Sequence, residues 1–233
     1  MRARLPSPAV PLLGLVLLAV ASTGCGSSSG GNGIAKKTPA EIIEGAKVLA
    51  DKATSVHVSG SLVSGGSPIT LDMYLLAYKG GRGQLSENGL SFELIQIHGT
   101  VFIKGSTAFY RHVAGATAAQ LLQGRWLKAP ANTGNLASLA SLTDLRQLLD
   151  ATLVAHGPLV KGAATTVDGR KVLAVTDTSQ GGTLYVATTG PPYPIEVAKS
   201  GAGAGKIVFD HWNGPVSVTA PENTIDITQL TGH

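Results

Sequence analysis

The stretch "SVHVSGSLVSGGSPITLDMYLLAY", residues 55–78, decides the architecture. Apolar residues fall at every second position on both sides of Gly65-Gly66, the period of a strand with one buried face. A glycine pair between two such runs makes the strands antiparallel neighbours. The pattern continues in "LSFELIQI" (90–97) and "TVFIKG" (100–105), with "TAFYRHV" (107–113) expected as a further strand. Gly80-Gly81, Asn88-Gly89 and Gly105-Ser106 serve as the turns, so this half of the chain is expected to be a meander. Alternation assigns Val56, Val58, Leu62, Ile69, Leu71, Met73, Leu75, Phe92 and Leu94 to one greasy face.

Strands also dominate the other end of the chain. Residues 159–167, 171–177, 183–189, 194–200, 206–212 and 224–228 all alternate, with Asp168-Gly169 and Asn213-Gly214 as turns. Between the two sets the period changes. "ATAAQLLQ" (116–123) predicts a short helix, and Trp126 starts an extended piece. "LASLASLTDLRQLLDATL" (136–153) carries Leu139, Leu142, Leu145, Leu148 and Leu149 at helical intervals. Thr38-Pro39-Ala40-Glu41 opens an earlier helix with a capping box, and Ile42, Ile43, Ala46, Leu49 and Ala50 form its apolar stripe. The expectation is an α+β domain: a large curved antiparallel sheet of about 10–11 strands whose concave face is covered by a few helices. The greasy-face residues are expected to form either a packed core or the lining of a cavity, joined by Leu145 and Leu149 of the leucine-rich helix.

The beginning of the chain has a different logic. Arg2 and Arg4 precede the uncharged run "PLLGLVLLAVA" (11–21), which has the length of a secretory signal core and is too short to span a bilayer. Small residues lead to Cys25, the single cysteine of the chain. The segment resembles a bacterial lipobox, although Ser22 stands where leucine is usual. That resemblance implies a diacylglycerol thioether and palmitate on Cys25, which becomes the first mature residue and the membrane anchor. Residues 1–24 are then a signal peptide, 25–37 a flexible Gly/Ser-rich tether of roughly 20 Å reach, and 38–233 a single domain.

Composition narrows the function. The formal charge of +4 includes Arg2 and Arg4, and the remaining Lys and Arg are scattered without a cluster of the kind that tracks phosphates, which excludes a nucleic-acid surface. Charged residues make up 14% against a hydrophobic share of 43%, far below the roughly 25% charge of ordinary domains. His57, His98, His112, His156, His211 and His233 show no metal-ligand spacing and have no cysteine partner, and His57 and His98 are expected to face solvent. No nucleophile elbow or local triad occurs, so neither an enzyme nor a cofactor is expected. "GAGAGK" (201–206) leads into a strand rather than a helix and reads as a hairpin tip, with Lys199 and Lys206 beside it as possible membrane or partner contacts.

The lipobox cysteine, the capped helix after a small-residue linker, "IQIHGTVFIKG" (95–105), "RWLKA" (125–129) and "GGTLYVATTGPPYPIEVAKSGAGAGKIVFDHWNGPVSVTAPE" (181–222) together resemble the actinobacterial lipoproteins of the LppX/LprAFG family, related in fold to the carrier LolA. The resemblance implies a half-barrel sheet enclosing a hydrophobic cavity. It also implies binding and carriage of an acylated lipid or glycolipid on the extracytoplasmic side of the cell membrane, with an envelope transporter as a possible partner. Arg111, Arg125 and Lys128 are candidates to orient a headgroup. The competing expectation is an extracytoplasmic interaction or sensor module with a filled core, and a weaker third is a hydrolase with dispersed residues.

Overall fold

A computed structural model describes residues 30–64, 66–77, 80–133, 142–153, 157–179, 181–201 and 203–229. Cys25 and the whole signal segment lie outside the described residues, as do residues 134–141 of the leucine-rich run.

Twelve strands form one open mixed sheet. In chain order they are β1 Ser55–Ser64, β2 Ser67–Leu76, β3 Gly80–Glu87, β4 Leu90–Ile97, β5 Thr100–Gly105, β6 Trp126–Pro130, β7 Leu159–Val167, β8 Arg170–Asp177, β9 Gly182–Ala187, β10 Pro194–Lys199, β11 Gly205–Asp210 and β12 Thr224–Asp226. Their spatial order is β12-β6-β5-β4-β3-β2-β1-β11-β10-β9-β8-β7. Two meanders therefore meet where β1 pairs antiparallel with β11. Among the described residues the α-helices are α1 Pro39–Asp51, α2 Thr107–Leu122 and α3 Leu145–Thr152. Among the described residues, no helix is long and apolar enough to cross a membrane.

Five expectations need correction. Residues 107–113 belong to α2, not to a strand: the Ser106 hydroxyl accepts from Phe109 N at 3.2 Å and caps a helix that buries Tyr110. The serine that read as part of a turn is an N-cap, and local capping outweighs aromatic alternation. The short helix expected at 116–123 is the second half of the same element, beyond a break at Gly115. The sheet has an additional strand, β3, whose sequence "GGRGQLSE" reads as turn because it is rich in glycine. It is also not wholly antiparallel, since β12 lies parallel to β6 after a long return segment. Finally, residues 31–37 of the tether are docked. Asn32 Nδ2 donates to Ala187 O and Gly190 O, Ile34 is buried in a 3-10 turn, and Lys161 Nζ donates to the carbonyls of Ala35 and Lys37.

The sheet curls. Laid flat, twelve strands would extend about 50 Å, while α1 is only about 20 Å long. Yet one buried apolar cluster joins Val101 and Ile103 of β5, Val56 and Val58 of β1, Leu173 and Val175 of β8, and residues of both α1 and α3. Glycines on the inner face help it bend. At Gly60 (φ 151°) a Cβ would sit 2.0 Å from Lys206 O of the neighbouring strand, and at Gly83 it would sit 2.1 Å from Asp72 O. Strands this closely coiled accept no side chain there.

Candidate functional site

The inner face is the first candidate. α1 packs over β7 to β10 and against α3, and the start of α2 packs on β4 and β5. Its cap forms as the sequence predicts: Thr38 N and Oγ1 both donate to Glu41 Oε2 at 2.8 Å, and Glu41 N donates to Thr38 Oγ1 at 3.3 Å. Ile42, Ala46 and Ala50 then point into the interior. Asp144 caps α3 by accepting from Arg146 N and Gln147 N, which turns Leu145 and Leu149 inward.

Of the ten apolar candidates, Val56, Val58, Met73, Leu75, Leu94, Leu145 and Leu149 are buried in the main cluster. Leu71 and Phe92 pack against it half-buried, and Leu62 lies farther out, also half-buried. Phe92 meets Phe109 of α2 at 5.1 Å between ring centroids. Polar ties secure the cover at its rim. Thr143, wholly buried, donates through its hydroxyl to Gln96 Oε1, and Lys47 of α1 donates to Asp150 of α3 and to Asp51. The bond to Asp150 holds Lys47 above the usual lysine range.

Two clefts open on either side of the N-terminus of α3. One, of about 420 Å³, lies between the C-terminus of α1 and the β1–β2 end, lined by Ala53, Leu76 and Ala77 with Lys52 and Arg146 at its edge. The other, of about 220 Å³, is lined by Leu76, Gln96, Thr143 and Leu145. The first lies within the size range of small-ligand sites. Arg111, Arg125 and Lys128 line neither cleft; Arg111 and Arg125 are exposed, and Lys128 stands 4.0 Å from Asp226.

The outer face holds a polar cluster that the linear sequence hides. His57 of β1 lies in register with Asp210 of β11 and with Tyr74 of β2. Its Nδ1 is 2.7 Å from Asp210 Oδ1, its Nε2 is 3.0 Å from Asp72 Oδ1, and its ring stacks on Tyr74 at 4.4 Å. His211 Nδ1 lies 2.6 Å from the same Asp210 Oδ1. Burial alone would raise Asp210, but hydrogen bonds from His211 and His57, together with their charge, hold its carboxyl below the usual range. His57 does lie on the outer face, but contrary to expectation it is not open to solvent: its side chain is only 14% exposed beneath Tyr74 and its carboxylate partners, a partnership hidden in the sequence because 153 residues separate it from Asp210. Strand alternation would also put His211 on the opposite face from Asp210; a left-handed backbone at His211 (φ 48°) turns it back. The tip at 201–206 forms the β10–β11 connection as read, with Lys206 Nζ 2.9 Å from Glu196 Oε2.

The fold thus defines an α+β protein with a single open, curled sheet and helices on its inner side. LprF from Mycobacterium bovis has this fold: its crystal structure superposes with a TM-score of 0.53 at 14% identity, covering 78% of this chain and 96% of that one. The large curved sheet with helices on its concave side expected from the sequence is therefore present. The MucA/MucB complex of Pseudomonas aeruginosa matches with a TM-score of 0.32 at 16% identity, covering 84% of this chain and 61% of that one, too loose a superposition to carry an argument. No protein-family model matches the sequence, and no curated protein matches it.

Proposed function

We propose that this protein is a lipid-anchored carrier of the cell envelope, tethered through an acylated Cys25, which takes the acyl chains of a lipid or lipidated glycan beneath α1 and α3. The observation that carries the reading is the inner face itself: one apolar cluster from β5 to β8, covered by two short helices, with a cleft of about 420 Å³ beside the C-terminus of α1. An acyl chain gains about 25 cal/mol for each Å² it removes from water, so a greasy interior with a separable cover suffices and no catalytic step is needed. Val56, Val58, Leu62, Leu71, Met73, Leu75, Phe92, Leu94, Leu145 and Leu149 would meet the chains. Lys52 and Arg146 stand at this cleft together with the carboxylate of Asp51, so its edge is polar and of mixed charge. The fold shared with LprF is compatible with this reading. An envelope transporter would be the natural supplier or receiver of such a cargo.

One observation favours a second reading. Val56, Val58, Leu75, Leu94 and Leu149 are wholly buried against one another and line none of the four described pockets. A core filled in that way would suit an extracytoplasmic interaction module. Native mass spectrometry of the full chain, extracted from its own membrane, separates the two. Lipid adducts that survive purification are expected for the carrier, and a lipid-free protein that also refuses fluorescent fatty acid supports the module. The same sample tests the anchor: the mature N-terminus is expected at a diacylglyceryl Cys25, and any other N-terminus rejects it.

A further inference from the structure

We propose that His57, His211 and Asp210 on the outer face form a binding site for a divalent transition ion of the zinc type, with Asp72 orienting His57 from behind. The site faces away from the apolar interior and stands independently of lipid carriage. One potential ligand atom from each of the three residues lies within 4.8 Å of the other two.

Proton counting makes the case. A carboxylate only accepts, and a neutral imidazole has one N–H and one lone pair. His57 has a carboxylate oxygen at both ring nitrogens, Asp72 Oδ1 at Nε2 (3.0 Å) and Asp210 Oδ1 at Nδ1 (2.7 Å). In the neutral ring only one of those contacts can be a donated bond. The other sets two lone pairs against each other, so a cation has to bridge them, either a second proton on the ring or a bound metal ion. When a metal ion takes the place of the Nδ1 proton, the remaining N–H stays on Asp72 and the Nδ1 lone pair is presented to the side where His211 Nδ1 and Asp210 also converge.

This is the arrangement metal-binding histidines use, one nitrogen on the ion and the other N–H on a carboxylate that sets tautomer and ring angle. Tyr74 stacked on the His57 ring and Arg82, 5.0 Å above the Tyr74 ring, hold that angle further. Two imidazoles and a carboxylate, completed by water, suit a borderline ion rather than Ca²⁺ or Mg²⁺. Tetrahedral bonds of about 2.0–2.1 Å set ligand atoms about 3.3 Å apart. The two nitrogen–oxygen contacts therefore have to open by about 0.7 Å, and the two imidazole nitrogens, within 4.8 Å of each other, have to settle at the same spacing, by rotation of the exposed His211 side chain. The left-handed backbone at His211 brings that ring to the shared face, and departures of this kind gather at binding sites. Uptake then proceeds with a balanced exchange: the ion takes the Nδ1 lone pairs of His57 and His211, and any proton held there passes to the buffer.

The test is calorimetric titration of the detergent-solubilised full chain with ZnCl₂ in two buffers of different ionisation enthalpy. Expected are one Zn²⁺ per chain, buffer-dependent heat from proton release, a loss of tenfold or more in affinity for His211→Ala, about tenfold for Asp72→Asn, and recovery in His211→Cys, which restores a ligand. His98→Ala and His112→Ala should leave binding unchanged. Because His57 is mostly covered, its variants can fail by misfolding; the exposed His211 carries the test instead. Binding that is absent in the unaltered chain means protons alone bridge these contacts and overturns the site, as does binding that persists undiminished in His211→Ala.

Discussion

Lys47 of α1 donates to Asp150 of α3 across 103 residues of sequence, and this ion pair, with Lys47 also bonded to Asp51 at 3.2 Å, joins the two helices that cover the inner face. The pair is at the surface, so it contributes at most about 1 kcal/mol to stability. Its position matters more than its strength. If cargo enters by parting α1 from α3, Asp150→Ala should speed transfer of a fluorescent fatty acid to vesicles roughly two- to fivefold, the kinetic equivalent of that energy. The melting temperature should hardly move. An unchanged transfer rate would mean that the route lies elsewhere.

Leu149 reports on the state of the interior. It is fully buried in the main cluster beneath α1, and Leu149→Ala should cost about 2–5 kcal/mol. In a domain of this size that lowers the melting temperature by roughly 5–15 °C. Bound acyl chains stabilise the folded state by mass action, about 2.7 kcal/mol at a hundredfold excess over the dissociation constant. Adding lipid should therefore restore much of the loss. Scanning calorimetry with and without fatty acid reads both effects, and a loss that lipid does not touch favours the filled interaction module.

How legible all this was in the sequence depends on the range of the interactions. The capping box at Thr38 and Glu41 and the alternation of β1 and β2 are local patterns that form as read, whereas of the leucine run expected over 136–153 only Leu145–Thr152 is described as helix, because Asp144 breaks the run as an extended N-cap and leaves Leu142 in a turn. β3 escaped because Gly81 and Gly83 face inward where a strand normally shows bulky residues; their role is set by the backbones of β2 and β4, not by their own propensity. β12 escaped as a parallel strand because its pairing with β6 depends on a return segment, fastened by Arg82 Nε donating to Ser217 O at 3.1 Å. The outer cluster was least legible. Spacing rules look for ligands a few residues apart, and here pairing of distant strands and a left-handed histidine do the gathering.

Asp210 gives the fold an acid limb. Burial opposes its charge, but the bonds from His211 and His57 prevail and hold its folded value below the ordinary 3.8. Below the ordinary value the unfolded chain takes up a proton before the native one does, so stability rises with pH there. The contribution is complete above about pH 4–5 and fades as the pH falls through the lowered native value. Asp210→Asn should flatten this part of the urea-midpoint profile between about pH 5 and pH 2. A profile for Asp210→Asn that keeps its full acid slope would show that other carboxylates supply it.

Gly83 tests whether the curl of the sheet depends on missing side chains. It faces inward on β3 opposite Met73, and an added Cβ would lie 2.1 Å from Asp72 O and 2.5 Å from Met73 Sδ. The sulfur is the end of a flexible side chain and can turn away; the carbonyl belongs to the paired strand and cannot. Gly83→Ala must therefore push β2 from β3 or flatten the local coil, and overpacking of that kind costs about 1–3 kcal/mol. Gln84→Ala, next along the strand on the outer face, changes no such contact and should stay within about 0.5 kcal/mol of the unaltered protein. Urea denaturation of the two variants checks the difference. Equal midpoints would mean that β2 and β3 have slack between them, and the bend would then have to be drawn from Gly60, where the same clash arises against β11.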